Sequence, residues 1–556
     1  MKIPVHTLVL AASALLAVRA DSVSAQDYKS ATLPPIWSAV ETQIGIGAMW
    51  GKSQELVYVA PGSGTLLSKL DWTFDGVAMF NTQTTIKLLP WLKLGWRGAF
   101  NITGSSTMDD YDFNLLGCPP PDFNCHSNHP DTRLRQARQL ELFGALDVIR
   151  RTGFTLSALA GYKHDFYRWN AIGGTANYFP VPFVGNGISY EQTWETPFVG
   201  LAVAMQHGPW TLSGRVIGSW WATGEGRDNH HYRSLLFVDK VERTDMVAAD
   251  VGVAYQVSPQ VSITADYKYQ RWGTGRGDTT ATDLLLGGSA VFVDSAGANQ
   301  ESHMLSLGLK VALQRPHETV GSIKDGPIAM PPQWSGWHIG VLGGFDWQRA
   351  DWRTTSLASG LVTPDASSAS LPFDDDGQRV GLFAGYGWQH GSMIWGIEGE
   401  IGYSNASAMQ LGIPGTAASA ILPGLVDATT VTSGLDGSVR LRVGALLAPW
   451  LQIYATGGVA IGQVEAALSC PGDIAFPSWC LTGSYYEEAR KVLVGWTAGV
   501  GYESQFAGGW FTRGEYRYTD LGSFTHTFIG GAPLDSVAAK IDHASHRLTF
   551  GLGYRY

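Results

Sequence analysis

Over most of its 556 residues this chain sets apolar and polar residues alternately, and after residue 25 it contains no run of 18 apolar residues. Val251, Val253, Tyr255 and Val257 alternate with Gly252, Ala254 and Gln256, and Val261, Ile263, Ala265, Tyr267 and Tyr269 alternate with Ser262, Thr264, Asp266 and Lys268. Leu305, Leu307, Leu309, Val311 and Leu313 repeat the pattern. Successive side chains of a strand point to opposite faces, so a period of two writes one apolar and one polar face along each strand. A spanning helix needs about 20 consecutive apolar residues, which these segments do not offer. A soluble β-sandwich and a barrel with lipid outside and polar groups inside both satisfy the alternation.

Composition and the N-terminus favour the barrel. Only 15% of residues are charged, against about 25% in soluble domains, and 21 Trp, 21 Tyr and 22 Phe are available for girdles at two membrane interfaces. Met1-Lys2, the apolar stretch Leu8 to Val18 and the small residues ending Val23-Ser24-Ala25 read as a secretory signal peptide over residues 1–25, with Ala20 a second possible cut. A net charge of −10 without a basic stripe excludes a nucleic-acid partner. In an exported chain the close pairs Cys118/Cys125 and Cys470/Cys480, each flanking a Pro-containing loop, read as two disulfides rather than as zinc ligands.

Punctuation divides the chain. Leu-Pro-Trp-Leu (89–92), Gly-Pro-Trp-Thr (208–211), Ser-Pro-Gln-Val (258–261) and Ala-Pro-Trp-Leu (448–451) are short turns, whereas other connections are long and polar. Short turns at one rim and long loops at the other match the periplasmic and outer ends of membrane barrels. Between Arg315 and Gln333 the alternation stops in a Pro-rich stretch, read as a linker; a new series runs from Trp334 to Tyr556. The expected domains are therefore 26–314, the linker 315–333 and 334–556, with one large barrel as the alternative.

Two clusters on the long-loop side carry chemistry. Asp110 and Asp112 lie in Met-Asp-Asp-Tyr-Asp-Phe (108–113), and Asp228 and His230 in Gly-Arg-Asp-Asn-His-His-Tyr (226–232). Residues two apart on a strand share a face, so each pair faces one groove. Imidazole, with an ordinary pKa of about 6.5, suits a base that activates water, and Asp228 would orient it. Two carboxyls close together push one pKa up, which keeps a proton for a developing oxyanion. Taken singly, each of these residues is as readily a solvated loop side chain, and His231 competes with His230 as the base.

From about residue 40 to 313 the chain resembles the omptins, ten-stranded outer-membrane proteases of Gram-negative bacteria. The resemblance rests on Gly51-Lys-Ser-Gln-Glu-Leu-Val-Tyr58, Lys69-Leu-Asp-Trp72, the Asp110/Asp112 segment, His129-Pro-Asp-Thr132, Ala160-Gly-Tyr162, Gly173-Gly174 and Asp228-Asn-His230. Residues 334–556 resemble the eight-stranded opacity-type surface-antigen barrels, through Trp334-Ser-Gly-Trp-His-Ile-Gly, Gly495 to Tyr502, Arg513 to Gly522 and the aromatic end Tyr554-Arg-Tyr556. The implied fold class is all-β: two tandem transmembrane antiparallel barrels of ten and eight strands.

The resemblance implies an aspartic-type endopeptidase using Asp110, Asp112, Asp228 and His230, with Glu55 holding a basic substrate side chain. The second acid usual two residues before the dyad Asp is replaced here by Gly226, beside Glu225. His129 and Asp131 would shape the neighbouring loop. Tyr162 keeps a lipopolysaccharide-contacting position, but His164 and Phe166 stand where an acid and an Arg are usual. No metal or other cofactor is expected, with lipopolysaccharide the one candidate. Expected partners are a peptide or protein substrate, outer-membrane lipid and the outer-membrane insertion machinery, which would read the terminal aromatic. The rival readings are an inactive surface adhesin on the same scaffold and a porin. The porin ranks last because barrels of eight or ten strands are filled by side chains.

Overall fold

A computed structural model describes residues 39–114, 118, 124–284, 286–314, 334–357, 370–414, 428–470, 480, 483–505, 509–532 and 534–556. The expected signal peptide and linker lie outside these residues. The first sheet comprises β1 (Ala39–Tyr58), β2 (Leu66–Leu89), β3 (Leu92–Asn101), β4 (Ser106–Asp112), β5 (Cys125–His129), β6 (Arg133–Arg151), β7 (Phe154–Ala176), β8 (Phe179–His207), β9 (Trp210–His230), β10 (Leu235–Gln256), β11 (Val261–Asp283) and β12 (Ser289–Gln314). β1 pairs with both β2 and β12, and every pairing is antiparallel, so ten long strands close a ring. The short strands β4 and β5 continue the β3 and β6 walls upward, between β2 and β7.

The second sheet comprises β13 (Gly336–Leu357), β14 (Ser370–His390), β15 (Met393–Ser404), β16 (Ser407–Leu411), β17 (Ala428–Ala448), β18 (Leu451–Cys470), β19 (Tyr485–Gln505), β20 (Trp510–Phe528) and β21 (Val537–Arg555). Eight long strands close through β13 and β21, with β16 extending the β15 edge against β17. The fold is thus two antiparallel β-barrels, of ten and eight long strands, as the resemblance implies.

Both barrels are inside-out relative to a soluble protein. The alternating apolar residues are exposed: Val251, Val253, Ile263, Leu305, Leu307 and Leu309 in the first barrel, and Val439, Leu441, Val459, Val492 and Val494 in the second. Their polar neighbours fill the interior, as Asp250, Gln270 and Ser306 do. Trp210 and Trp220, ten residues apart on β9, are both exposed. At about 3.3 Å per residue and a tilt of about 40°, that separation is about 25 Å along the axis, the height of a lipid-facing band. Asp228 and His230 lie eight and ten residues beyond Trp220, clear of the membrane. The tight connections 89–92, 151–154, 207–210 and 256–261 all lie at the opposite end, with both ends of the ten-stranded ring.

Candidate active site

β9 ends on Asp228 and His230, whose side chains meet at 2.5 Å between His230 Nε2 and Asp228 Oδ2. A one-turn 3-10 segment, His231–Arg233, then reverses the chain into β10, with Ser234 in the left-handed region at φ 50°. That turn lays the Arg233 guanidinium on His230 Nδ1. A guanidinium only donates, so Nδ1 is the acceptor and Nε2 carries the proton toward Asp228. Asp228 Oδ1 is buried without a hydrogen-bond partner among the described residues. The adjacent His231 points elsewhere: it is buried, with Nε2 2.8 Å from Ser189 Oγ. Burial, and then the neighbouring His230, pull its pKa down to about 3, so it stays neutral.

Asp110 and Asp112 stand on β4, which pairs with β2 on one side and β5 on the other. Leu70 is the register partner of both Asp110 and Glu55, which sets those two acids in one row across β4, β2 and β1. Ser68 Oγ donates to Asp110 Oδ1 at 3.4 Å. Burial, followed by the charge of Asp112, raises the Asp110 pKa to about 8, against an opposing pull from Arg233. Asp110 therefore holds its proton at neutral pH, as the paired carboxyls predict. The same electrostatic contacts place Asp228 and Arg233 within reach of Asp110, so the two sequence clusters share one groove.

Under the acids lies an aromatic layer. Trp72, one pleat deeper than Leu70, stacks on Tyr190 with ring centroids 5.2 Å apart, and Trp169 packs against both at 5.8 Å. All three rings are fully buried. They give the groove a rigid, water-excluding floor.

The remaining residues singled out in the sequence flank this centre. Cys118 and Cys125 form a disulfide with Cα atoms 5.0 Å apart, and Cys125 is the register partner of Asp112. Cys470 and Cys480 form the other, at 5.9 Å. His129 is buried, donates from Nδ1 to the Gly173 carbonyl and stacks on Phe183 at 5.5 Å. Gly174 has φ 124°, and a Cβ there would lie 2.4 Å from the Asn128 carbonyl oxygen, so only glycine lets this strand approach β5. Tyr162 and His164 both bond Glu195, away from the groove, and Phe166 lies under Arg138 and Arg168 at 5.2 and 5.5 Å.

Three site residues escaped the sequence reading: Arg233, Tyr190 and Asp239. Hairpin register would have found Asp239. Inward positions 230, 228 and 226 pair with 235, 237 and 239 across β9 and β10.

A lipid-exposed apolar band, a polar interior and a groove of acids and imidazole above the membrane define an outer-membrane β-barrel protein of the Gram-negative envelope. Residues 36–313 match the Omptin family, and the chain belongs to it; residues 328–556 match the outer membrane protein beta-barrel domain. Outer membrane protease OmpP of Escherichia coli (strain K12) is 28% identical over 283 residues, covering 49% of this chain and 89% of that protein. The plasminogen activator of Yersinia pestis is 27% identical, covering 48% and 86%. In the second half, the 25 kDa outer-membrane immunogenic protein of Brucella melitensis is 28% identical, covering 41% and 84%. The crystal structure of outer membrane protease OmpT from Escherichia coli aligns over 51% of this chain and 99% of its own, with 24% identity and a TM-score of 0.47. The family relatives of the first barrel thus include named outer-membrane proteases.

Proposed function

We propose that the first barrel is an endopeptidase, open to the cell exterior, in which Asp228 and His230 activate water opposite Asp110 and Asp112. The observation that carries the reading is the buried Asp228–His230 bond at a rim shared with the protonated Asp110. With Nε2–H bound to Asp228, the free lone pair of His230 is on Nδ1. Arg233 moves off that atom as water and substrate enter. Nδ1 then takes a proton from water while the water oxygen bonds to the scissile carbonyl carbon. Asp228 stabilises the imidazolium, and Asp110 donates a hydrogen bond to the developing oxyanion. The imidazolium next protonates the amide nitrogen, the C–N bond breaks, and acid and amine leave. The mechanism needs no metal or other cofactor, and lipopolysaccharide has no assigned step.

The test is cleavage of a quenched fluorescent peptide containing Arg-Arg or Lys-Arg by refolded protein, with and without lipopolysaccharide. Loss of cleavage in both Asp228→Asn and His230→Ala is expected.

One observation favours a second reading, an inactive surface adhesin: Arg233 occupies the nitrogen a water must use. Arg233→Ala separates the two. Folded wild-type and Arg233→Ala proteins that both leave a wide peptide library intact select the adhesin.

A further inference from the structure

We propose that Asp239, reaching in from the neighbouring strand, is the second acid of a pocket that takes an arginine or lysine side chain of the substrate alongside Glu55. This inference rests on the peptidase reading of the same groove.

The register of the β9–β10 hairpin sets Asp239 opposite Gly226. A Cβ added at Gly226 would lie 3.3 Å from Asp239 Cβ and 3.3 Å from the Tyr190 hydroxyl. The two positions therefore open onto one space: a side chain at 226 would grow out beside that of 239 and the Tyr190 hydroxyl.

The pocket is built and lacks a cation. Glu55 is 2% exposed and its Oε2 has no hydrogen-bond partner among the described residues, while its electrostatic neighbours are Asp228, Asp239 and Asp110. Asp239 is 3% exposed and accepts one hydrogen bond, from Thr279 Oγ1 at 2.7 Å. Among the described residues neither carboxyl has a Lys or Arg ion-pair partner, and Arg233 is already engaged on His230. Burial without a counter-charge holds the Glu55 pKa well up and that of Asp239 at about 7, so a cation arriving with the substrate favours the ionised pair and is bound by it. A guanidinium offers five N–H donors in a plane. Glu55 Oε2 and Asp239 provide acceptors, and the Tyr190 hydroxyl borders the same space.

The test uses the full-length refolded protein and two fluorogenic peptides that differ only by arginine or its neutral isostere citrulline at the residue before the cleaved bond. Asp239→Asn is expected to lower the arginine-to-citrulline ratio of kcat/KM by about 10- to 100-fold, mainly through KM, the size of one charged hydrogen bond. Gly226→Asp combined with Asp239→Gly, which removes the Cβ that a side chain at 226 would crowd, returns an acid to the same space from the other strand and is expected to restore the ratio. A ratio unchanged in Asp239→Asn, or a double variant that folds without restoring it, overturns the pocket.

Calorimetric binding of the arginine peptide with a reduced scissile bond runs in parallel on the same proteins. Binding that is lost in Asp239→Asn, from a wild type that cleaves nothing, would sink the peptidase reading and leave the pocket standing. A wild type that neither binds nor cleaves sinks both.

Discussion

Each barrel holds a buried histidine–carboxylate pair, and the two differ in what surrounds the acid. In the second barrel His338 Nε2 lies 3.1 Å from Glu398 Oε2, and the same carboxylate meets Arg440 at 2.6 Å, Arg442 at 2.8 Å and Arg513 at 3.0 Å. The network continues: Arg440 bonds Glu400 and Glu515, Arg517 bonds Glu400, and Arg442 and Arg555 bond Glu503. These charges close on one another and fill the lumen. In the first barrel, among the described residues, the one guanidinium at the pair sits on the imidazole, and Asp228 Oδ1 and Glu55 Oε2 have no partner. The guanidinium Nε atoms of Arg440, Arg442, Arg513 and Arg517 have no partner among the described residues, but no oxygen of Glu398, Glu400, Glu503 or Glu515 is left open, and buried carboxylates so matched explain themselves as packing. Buried charge left open at a rim needs a partner from outside to lower its cost.

The largest test of that contrast exchanges the histidines. His230→Ala is expected to lower peptide cleavage by about 10²- to 10⁴-fold, the usual worth of a general base. His338→Ala, in the same assay, is expected to leave it unchanged. Equal losses would mean the two pairs are not functionally distinct.

Stability should divide the barrels the other way. Glu398→Gln strips the charge that three arginines share, and breaking a buried pair costs about 3–5 kcal/mol. Glu55→Gln removes an acid that pairs with no cation and should leave stability level or raise it. The readout is the temperature at which each folded protein loses its compact form on a gel. A Glu55→Gln protein as weakened as Glu398→Gln would refute the distinction between open and closed charge.

The pH profile gives a smaller effect. Asp110 holds its proton up to about pH 8. On the proposed mechanism its hydrogen bond to the oxyanion is present at neutral pH and lost as pH rises through that value, and kcat is expected to show an alkaline limb that falls about tenfold per pH unit. In Asp110→Asn the amide donates at every pH, so the limb should vanish. A limb that persists unmoved assigns it to another group.

The sequence made the lipid face legible because one rule, alternation, decides it locally: Val251 or Leu307 needs only its neighbours two residues away to be placed outward. Asp228, His230, Asp110 and Asp112 were legible from motif order, which a resemblance supplies. Arg233 and Asp239 were not. Arg233 reaches His230 only because a 3-10 turn with Ser234 in the left-handed region doubles the chain back, and nothing in His-Tyr-Arg-Ser announces that turn. Asp239 is a partner of Gly226 only once the hairpin register is known. Of the two adjacent histidines His230 meets Asp228 and His231 meets Ser189, since one residue of register moves a side chain from groove to wall.

The disulfides give the finest comparison, one per barrel. Cys118–Cys125 closes the tip of the β4–β5 hairpin directly opposite Asp112, whereas Cys470–Cys480 ends β18, in the barrel without the acid–imidazole groove. Both close short loops, with sequence separations of 7 and 10, so their chain-entropy contributions are close, about 2.5 to 3 kcal/mol each. The difference between them is position. Replacing Cys118 and Cys125 with alanine loosens the strand end that holds Asp112 and, two residues on, Asp110. Small losses of alignment cost rate even when the fold survives, so kcat should fall by about tenfold or less with KM for the peptide nearly constant. The corresponding change at Cys470 and Cys480 should leave both constants alone. Matching losses from the two double variants would show that the bridge acts on the protein as a whole, and that the aspartate pair does not depend on the hairpin tip for its aim.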